Sequence, residues 1–278
     1  LTVELHDLPG PLGVEVRGID LHGVLGDDEV AQLLDAFDRR HLLMLREQDI
    51  SGEEQVRWCR HFGPISPESP EGYGFVSNVH PNGILREGAI RFHADLAFTP
   101  DPVHALSLLA REVPEQGAPT LFADATGVVG RMQPSLRARL ERHWIVNVYD
   151  FTLPTDRRMR ERDVAAGSPI VERPMIAPHP RTGAPVVNAN ALQTDRVVGL
   201  SEDESEALLA ELFAVLYSPD NVMVLDWEVG DLVIWDNLAI QHERPDFPVL
   251  EPRTMQRVCI HDKSLVDLVP NVGQLLRR

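Results

Sequence analysis

The strongest constraint on the fold is the texture of the chain after residue 74. Ten short apolar runs follow one another there: "GFVSNV", "AIRFHADLAF", "VHALSLLAREV", "TLFADA", "HWIVNVY", "RPMIAPH", "APVVNAN", "NVMVLDW", "DLVIWDN" and "RTMQRVCIHD". Each is too short for a core helix, and Pro, Gly, Asn or Asp punctuates nearly every gap. Short runs bounded by turn residues read as β-strands. Many such strands must pair their edges, which they do in a sandwich or barrel of the jelly-roll kind. The expected class is mainly β with flanking helices, and the strand-rich core covers about residues 75–262.

The first 65 residues read differently, as a βαβα opening. "VEVRGIDLHG" alternates like a strand entering a turn. "DDEVAQLLDAFDRRH" places acidic residues first and basic residues last, with Val30, Leu33, Leu34 and Phe37 at helical spacing. "LLMLRE" reads as a buried strand, and "SGEEQVRWCRHFG" opens on the capping-box pair Ser51 and Glu54. Two further helices are expected near 133–142 and over 201–217, the second starting at a Ser cap. No repeat or linker divides the chain, so one domain over 1–278 is expected.

Charge narrows the class of partner. Acidic residues outnumber basic ones, 43 against 26, for a formal net charge of −17. Such a surface repels nucleic acid and anionic membranes and leaves a small molecule as the expected partner; a homo-oligomer is compatible with it. Cys59 and Cys259 lie far apart without metal-type spacing and read as reduced buried residues. No apolar run reaches the length of a membrane span, and no signal-peptide pattern opens the chain, so the expected compartment is cytoplasmic.

The chemistry centres on "RFHADLAF". In a strand, His93 and Asp95 would share a face with Cα atoms about 7 Å apart. That suits two ligands of one metal, and it equally suits a buried hydrogen-bonded pair. "GDLVIWDNLAIQHERPDF" offers His242 as a third ligand after an apolar strand ending at Trp235. Two histidines and one carboxylate with open positions suit non-haem Fe(II) oxygen chemistry; taken alone, His242 reads as an ordinary histidine near a turn. Arg253 and Arg257 in "RTMQRVCI" share a strand face, and either could present its fork to a carboxylate. Exterior ion pairing is the plainer reading of both. Pro245, Pro248 and Pro252 mark a turn that folds this strand back beside His242. Thr120 opens a strand after the turn containing Gly117 and Pro119, a position that β-propensity alone explains.

Taken in order, these segments resemble the taurine dioxygenase-like family of Fe(II)/2-oxoglutarate oxygenases, which includes the 2,4-dichlorophenoxyacetate dioxygenases. The resemblance runs from "GVEVRGIDL" through "HLLMLREQDISGEEQVRWCRHFG", "FHADLAF", "PEQGAPTLFADA", "HPRTGAPVVNAN", "GLSEDESEALLAELF" and "GDLVIWDNLAIQH" to "RTMQRVCIHDK". It implies a double-stranded β-helix with helices outside and iron between two sheets. His93, Asp95 and His242 match the family's iron triad. Thr120 and Arg253 match the residues that hold the distal carboxylate of 2-oxoglutarate. Arg257 matches a second arginine near the iron, facing substrate or the C1 carboxylate of 2-oxoglutarate. The implied reaction couples O2-dependent decarboxylation of 2-oxoglutarate, to succinate and CO2, with oxidation of a substrate C–H bond. Presence of Asp95 favours hydroxylation over halogenation. A binding protein or a metal-dependent hydrolase on the same barrel is the alternative.

Departures from the family pattern bear on the substrate. Ser66 in "FGPISPES" stands at the substrate rim where taurine dioxygenase has a histidine, and "LREGAI" replaces an Asn- and Asp-rich loop. Taurine is therefore not the expected substrate. The polar segment 149–169 reads either as a solvated surface stretch or as a lid that would bring Arg157, Arg158 or Arg160 to an anionic molecule.

Overall fold

A computed structural model describes residues 3–67, 69–115, 118–247 and 250–275. Gly117 and Pro248, named above in turns, lie outside the described residues, as do the two ends of the 1–278 span. The opening carries β1 (Glu4–Asp7), β2 (Val14–Arg17), α1 (Asp27–Arg40), β3 (Leu42–Leu45) and α2 (Gly52–Cys59). Ser51 caps α2 as its sequence requires: its side chain accepts from Glu54 N, while the Glu54 carboxylate accepts from Ser51 N. Next come β4 (Gly74–Ser77), β5 (Gly83–Ile84), β6 (Ile90–His93), β7 (Ala105–Glu112) and β8 (Thr120–Asp124). Helices α3 (Gly127–Arg131) and α4 (Pro134–Leu140) precede β9 (Trp144–Val148), β10 (Ile170–Pro174), β11 (Ile176–Pro178), β12 (Pro185–Val187) and β13 (Thr194–Val197). After α5 (Glu202–Leu216) lie β14 (Val222–Leu225), β15 (Leu232–Asp236), β16 (Ile240–Arg244) and β17 (Thr254–Ile260), then the short α6 (Leu265–Leu268) and α7 (Val272–Leu275).

Two sheets make the double-stranded β-helix. The larger has the order β1-β2-β3-β15-β7-β17-β4-β5, and the smaller β14-β8-β16-β6. Alternation of side chains assigns the layers. From β15, Val233 and Trp235 join the core between the sheets, while Leu232 and Ile234 pack under the helices of the opening. Strand β3 divides likewise, Leu42 and Met44 inward, Leu43 and Leu45 toward Phe37 of α1 and Trp58 of α2. Helix α5 covers the other flank with Leu208, Leu209, Leu212 and Leu216. Both cysteines are buried thiols.

The same parity aims the polar residues. Thr120 shares the face of Phe122 on β8, His242 and Arg244 share that of Ile240 on β16, and Arg257 shares that of Met255 and Cys259 on β17. All of these faces look into the space between the sheets.

Two local expectations change. Strand β6 ends at His93, and residues 95–98 form a turn in which Leu96 takes a φ of 58°. His93 and Asp95 are thus not alternate residues of one strand. His242 is not beside a turn; it sits within β16, the strand that separates β6 from β8.

Candidate active site

Strand register builds the centre of the site. His242 on β16 lies directly opposite His93 on β6, with their rings 4.2 Å apart. The turn after β6 swings Asp95 back, so that Asp95 Oδ1 lies 3.2 Å from His93 Nε2 and 3.7 Å from His242 Nε2. All three ligand atoms fall within 4.8 Å of one another, close enough to surround one cation.

Hydrogen bonding prepares these ligands. The Arg91 carbonyl, which can only accept, lies 2.8 Å from His93 Nδ1. That nitrogen therefore carries the proton, and Nε2 presents its lone pair to the centre. His242 Nδ1 is buried without a partner among the described residues. Burial above all, with the neighbouring Arg257 charge, pushes the His242 pKa down to about 3, so the ring is neutral near pH 7. Burial pushes the Asp95 carboxyl up, but the charge of Arg257, bonded to it, outweighs that and holds the group well below the usual carboxylate range. Arg257 Nη2 donates to Asp95 Oδ2 at 2.8 Å, which leaves Oδ1 toward the histidines.

Three amide side chains that sequence reasoning did not single out hold the turn carrying Asp95. Asn237 accepts from Asp95 N at 2.8 Å and donates to Asp95 O at 3.0 Å. Gln193 donates to the Ala94 carbonyl at 3.3 Å and Asn147 to that of Ala97 at 3.0 Å. All three are fully buried. The available signal was the presence of Asn or Gln inside "HWIVNVY", "NALQTD" and "VIWDN", since buried amides are retained where their hydrogen bonds are met.

Two cavities meet at this centre. The inner one, of about 60 Å³, is bounded by His93, Asp95, His242, Thr120, Arg253 and Arg257. Thr120 Oγ1 accepts from Trp227 Nε1 at 2.9 Å, which leaves its hydroxyl proton to donate elsewhere. Arg253 is 2% exposed, and its Nε has no partner among the described residues. Burial, then the neighbouring Arg244, lowers its pKa to about 9, and the guanidinium remains charged at neutral pH. A buried cation without a carboxylate is costly, and an anion entering this cavity would relieve that cost. The outer cavity, of about 780 Å³, opens from Asp95 and Arg257 toward the surface. Its walls include Ile84, Leu85, Phe98, Tyr149, Phe151 and Leu265, with Arg86, Gln193 and Ser264 as polar residues.

Other sequence candidates fall elsewhere. Ser66 lines a separate cavity of about 170 Å³ behind Arg257, and its hydroxyl donates to the Lys263 carbonyl at 2.9 Å. Its neighbour Pro67 reaches the outer cavity. From 149–169, Tyr149 and Phe151 line the outer cavity, but Arg158 and Arg160 pair with Glu206 of α5. Of the arginines expected at a lid, these two are committed to the flank. A second cluster, Asp101, His104 and His261, also brings ligand atoms together. There Lys263 N donates to His261 Nδ1, which puts the ring proton on Nε2, and Lys263 Nζ takes Asp101 Oδ2. It is an ion-pair network.

The fold and this centre define a metal-dependent oxygenase built on a double-stranded β-helix. Residues 4–259 match the family described as taurine catabolism dioxygenase TauD, TfdA. The chain is 30% identical to pentalenolactone F synthase of Streptomyces arenae, over 92% of this chain and 94% of that protein. It is 26% identical to the alpha-ketoglutarate-dependent 2,4-dichlorophenoxyacetate dioxygenase of Cupriavidus pinatubonensis, over 90% and 95%. A taurine dioxygenase from Burkholderia xenovorans superimposes with a TM-score of 0.77 at 25% identity, covering 93% of this chain and 90% of that one. The chain belongs to the TauD/TfdA family. It is a dioxygenase dependent on Fe(II), 2-oxoglutarate and O2 that acts on a small molecule. No helix among the described residues is long and apolar enough to cross a membrane.

Proposed function

We propose that this protein hydroxylates a C–H bond of a small molecule with an apolar body and one anionic group, in a single oxygenase domain, with His93, Asp95 and His242 as the iron ligands. The observation that carries the reading is the convergence, around one small cavity, of the triad, the Thr120 hydroxyl and the buried cation of Arg253, which has no carboxylate partner among the described residues. The donor set suits the ion: two neutral imidazoles and one ionised carboxylate on one side, with the remaining directions open toward the cavities. Fe(II) with 2-oxoglutarate and O2 supplies the oxidant, and succinate and CO2 leave.

The protein's own part is binding, orientation and exclusion of water. Arg253 and Thr120 grip the distal carboxylate of 2-oxoglutarate, a charge-assisted pairing in a dry cavity. Arg257 fixes the Asp95 carboxylate so that one oxygen serves the metal, which makes it a positioning residue for the ligand. Phe98, Tyr149 and Phe151 form an aromatic wall, with Phe98 and Tyr149 stacked at 4.5 Å and Phe151 edge-on to Tyr149. Such a wall takes an apolar body. Among the described residues Arg86 donates to the His80 and Pro81 carbonyls and to no carboxylate, so its charge is available to an anionic group.

The apolar walls and the Ser66 hydroxyl's engagement with Lys263 support a substrate other than taurine. The net charge of −17 supports a partner that is neither nucleic acid nor membrane, and two buried cysteines outside any disulfide support a cytoplasmic setting; a homo-oligomer is compatible with both and is read by light scattering. The test is succinate release from 2-oxoglutarate across a panel of apolar carboxylates, sulfates and their neutral analogues, with taurine alongside. Stimulation by anionic apolar compounds and none by taurine is expected. Stimulation by taurine alone would refute the substrate reading.

A further inference from the structure

Arg244 has no part in the reaction described above, yet it lines the inner cavity and bonds to a loop that lines the outer one. It lies two residues beyond His242 on β16, points into the barrel, and is 6% exposed. The pairing of β16 with β6 loses its register between His242 and Arg244, so that Arg244 lies opposite Ile90. Its guanidinium finds no carboxylate among the described residues. Nη1 donates to the Leu85 carbonyl at 2.7 Å, and Nη2 donates to those of Glu87 and Gly88 at 3.0 and 2.7 Å. Arg244 also lines the inner cavity with Arg253, and both guanidinia lie over the Phe247 ring, at 5.1 and 5.6 Å.

The segment it grips is a lip of the outer cavity. Ile84, Leu85 and Arg86 line that cavity, and Leu85 lines the inner one as well. Leu85 holds a φ of 50°, which a leucine adopts only when its surroundings impose it, and Gly88 takes a φ of 80°. The three bonds from Arg244 are that imposition. Two buried guanidinium groups share the Phe247 ring, so each opposes the other's charge. A dicarboxylate at Arg253 removes that opposition and favours Arg244 in its place on the lip.

Resting on the co-substrate reading above, we propose that Arg244 is a positioning residue that couples filling of the inner cavity by 2-oxoglutarate to the setting of the Leu85–Gly88 lip, and so to the shape in which the outer cavity receives substrate. A residue that only braced the lip would give the same bracing with the inner cavity filled or empty.

Hydrogen exchange of the segment 83–89, with and without saturating Mn(II) and N-oxalylglycine, separates the two roles. In the wild type, loading is expected to slow exchange of this segment about ten-fold. In Arg244→Gln the change on loading is expected to vanish. Arg244→Lys keeps the charge but loses the fork, and it too is expected to lose most of the response. Arg244→Lys carries the test if Arg244→Gln exchanges faster throughout β7 and β15. A wild-type response in Arg244→Lys, or no response in the loaded wild type, would overturn the proposal. Probe binding is followed independently by fluorescence of Trp235, which lines the inner cavity. Failure of the wild type to bind the probe overturns the co-substrate reading, and this proposal with it.

Discussion

The inner and outer cavities share Leu85, Ile90, His93, Asp95 and Arg257 but are built on different principles. Strand side chains from both sheets, apolar ones of β4, β7 and β15 among them, enclose about 60 Å³. Strands β6, β16 and β17, with Arg253 just before β17, present charged and metal-binding groups to its interior. Loop and turn residues supply most of the 780 Å³ outer cavity, which is lined chiefly by apolar groups. Strand alternation leaves the first little freedom, because one slip of register would turn every ligand away. Loops tolerate change, so the second is where relatives on one scaffold can diverge. The chemistry is thus set by the sheets and the selectivity by the loops.

Removing a metal ligand should break the inner cavity most severely. His242→Ala is expected to lower 2-oxoglutarate-dependent succinate formation by more than about 100-fold, since even residues that only support a ligand cost 10- to 100-fold. Arg253→Met removes charge-assisted bonds to the co-substrate and should raise KM for 2-oxoglutarate about 10- to 100-fold, with a smaller change in kcat. Arg257→Gln loosens the carboxylate of Asp95 and should weaken Mn(II) binding about ten-fold, read by calorimetry. Phe151→Ala opens only the outer cavity. It should raise KM for an accepted substrate by about ten-fold and leave 2-oxoglutarate binding unchanged, and an equal loss in both would erase the division drawn here.

The smallest expected effect lies outside both cavities. His41 ends α1 in a left-handed conformation, buried, with Nε2 2.9 Å from Thr126 Oγ1. Burial, partly offset by Asp236 and Asp124, lowers its pKa below the ordinary value. The folded protein therefore resists protonating this ring more than the unfolded chain does. Its contribution to stability is complete above pH about 6.5 and is lost as pH falls below that, with a slope of at most about 1.4 kcal/mol per pH unit. His41→Asn keeps a residue that tolerates the left-handed conformation and should flatten the fall of Tm between pH 6.5 and 5.

The sheets were far more legible in the sequence than the loops. Unbroken apolar runs in "DLVIWDN" and "LLMLRE" mark strands buried on both faces, and β15 pairs with β3 and β7. The capped helices at 52–59 and 202–216 follow from Ser51 and Ser201. The triad was named on the resemblance, but the geometry offered for His93 and Asp95 was that of a continuous strand. The chain instead turns at Ala94, held by Asn147, Gln193 and Asn237, which are distant in sequence and carry no local pattern. The strand holding His242 was not read from the sequence, where His242 lies near a turn, because only Asn237, Leu238 and Ala239 divide it from β15. Segment 149–169 lacks periodicity, and only contact with α5 shows that Arg158 and Arg160 face away from the site. Arg244 carried no signal at all, since its partners are backbone carbonyls of a loop.

The most direct test of the central claim is an anaerobic titration of the apo-protein with Fe(II) and then 2-oxoglutarate, read at the visible charge-transfer band of the chelate. The account predicts a band in the wild type that is lost in Asp95→Ala and needs more 2-oxoglutarate to develop in Arg253→Met. A folded wild type that binds metal but develops no band, or an Asp95→Ala protein that develops it fully, would contradict the assignment of the inner cavity.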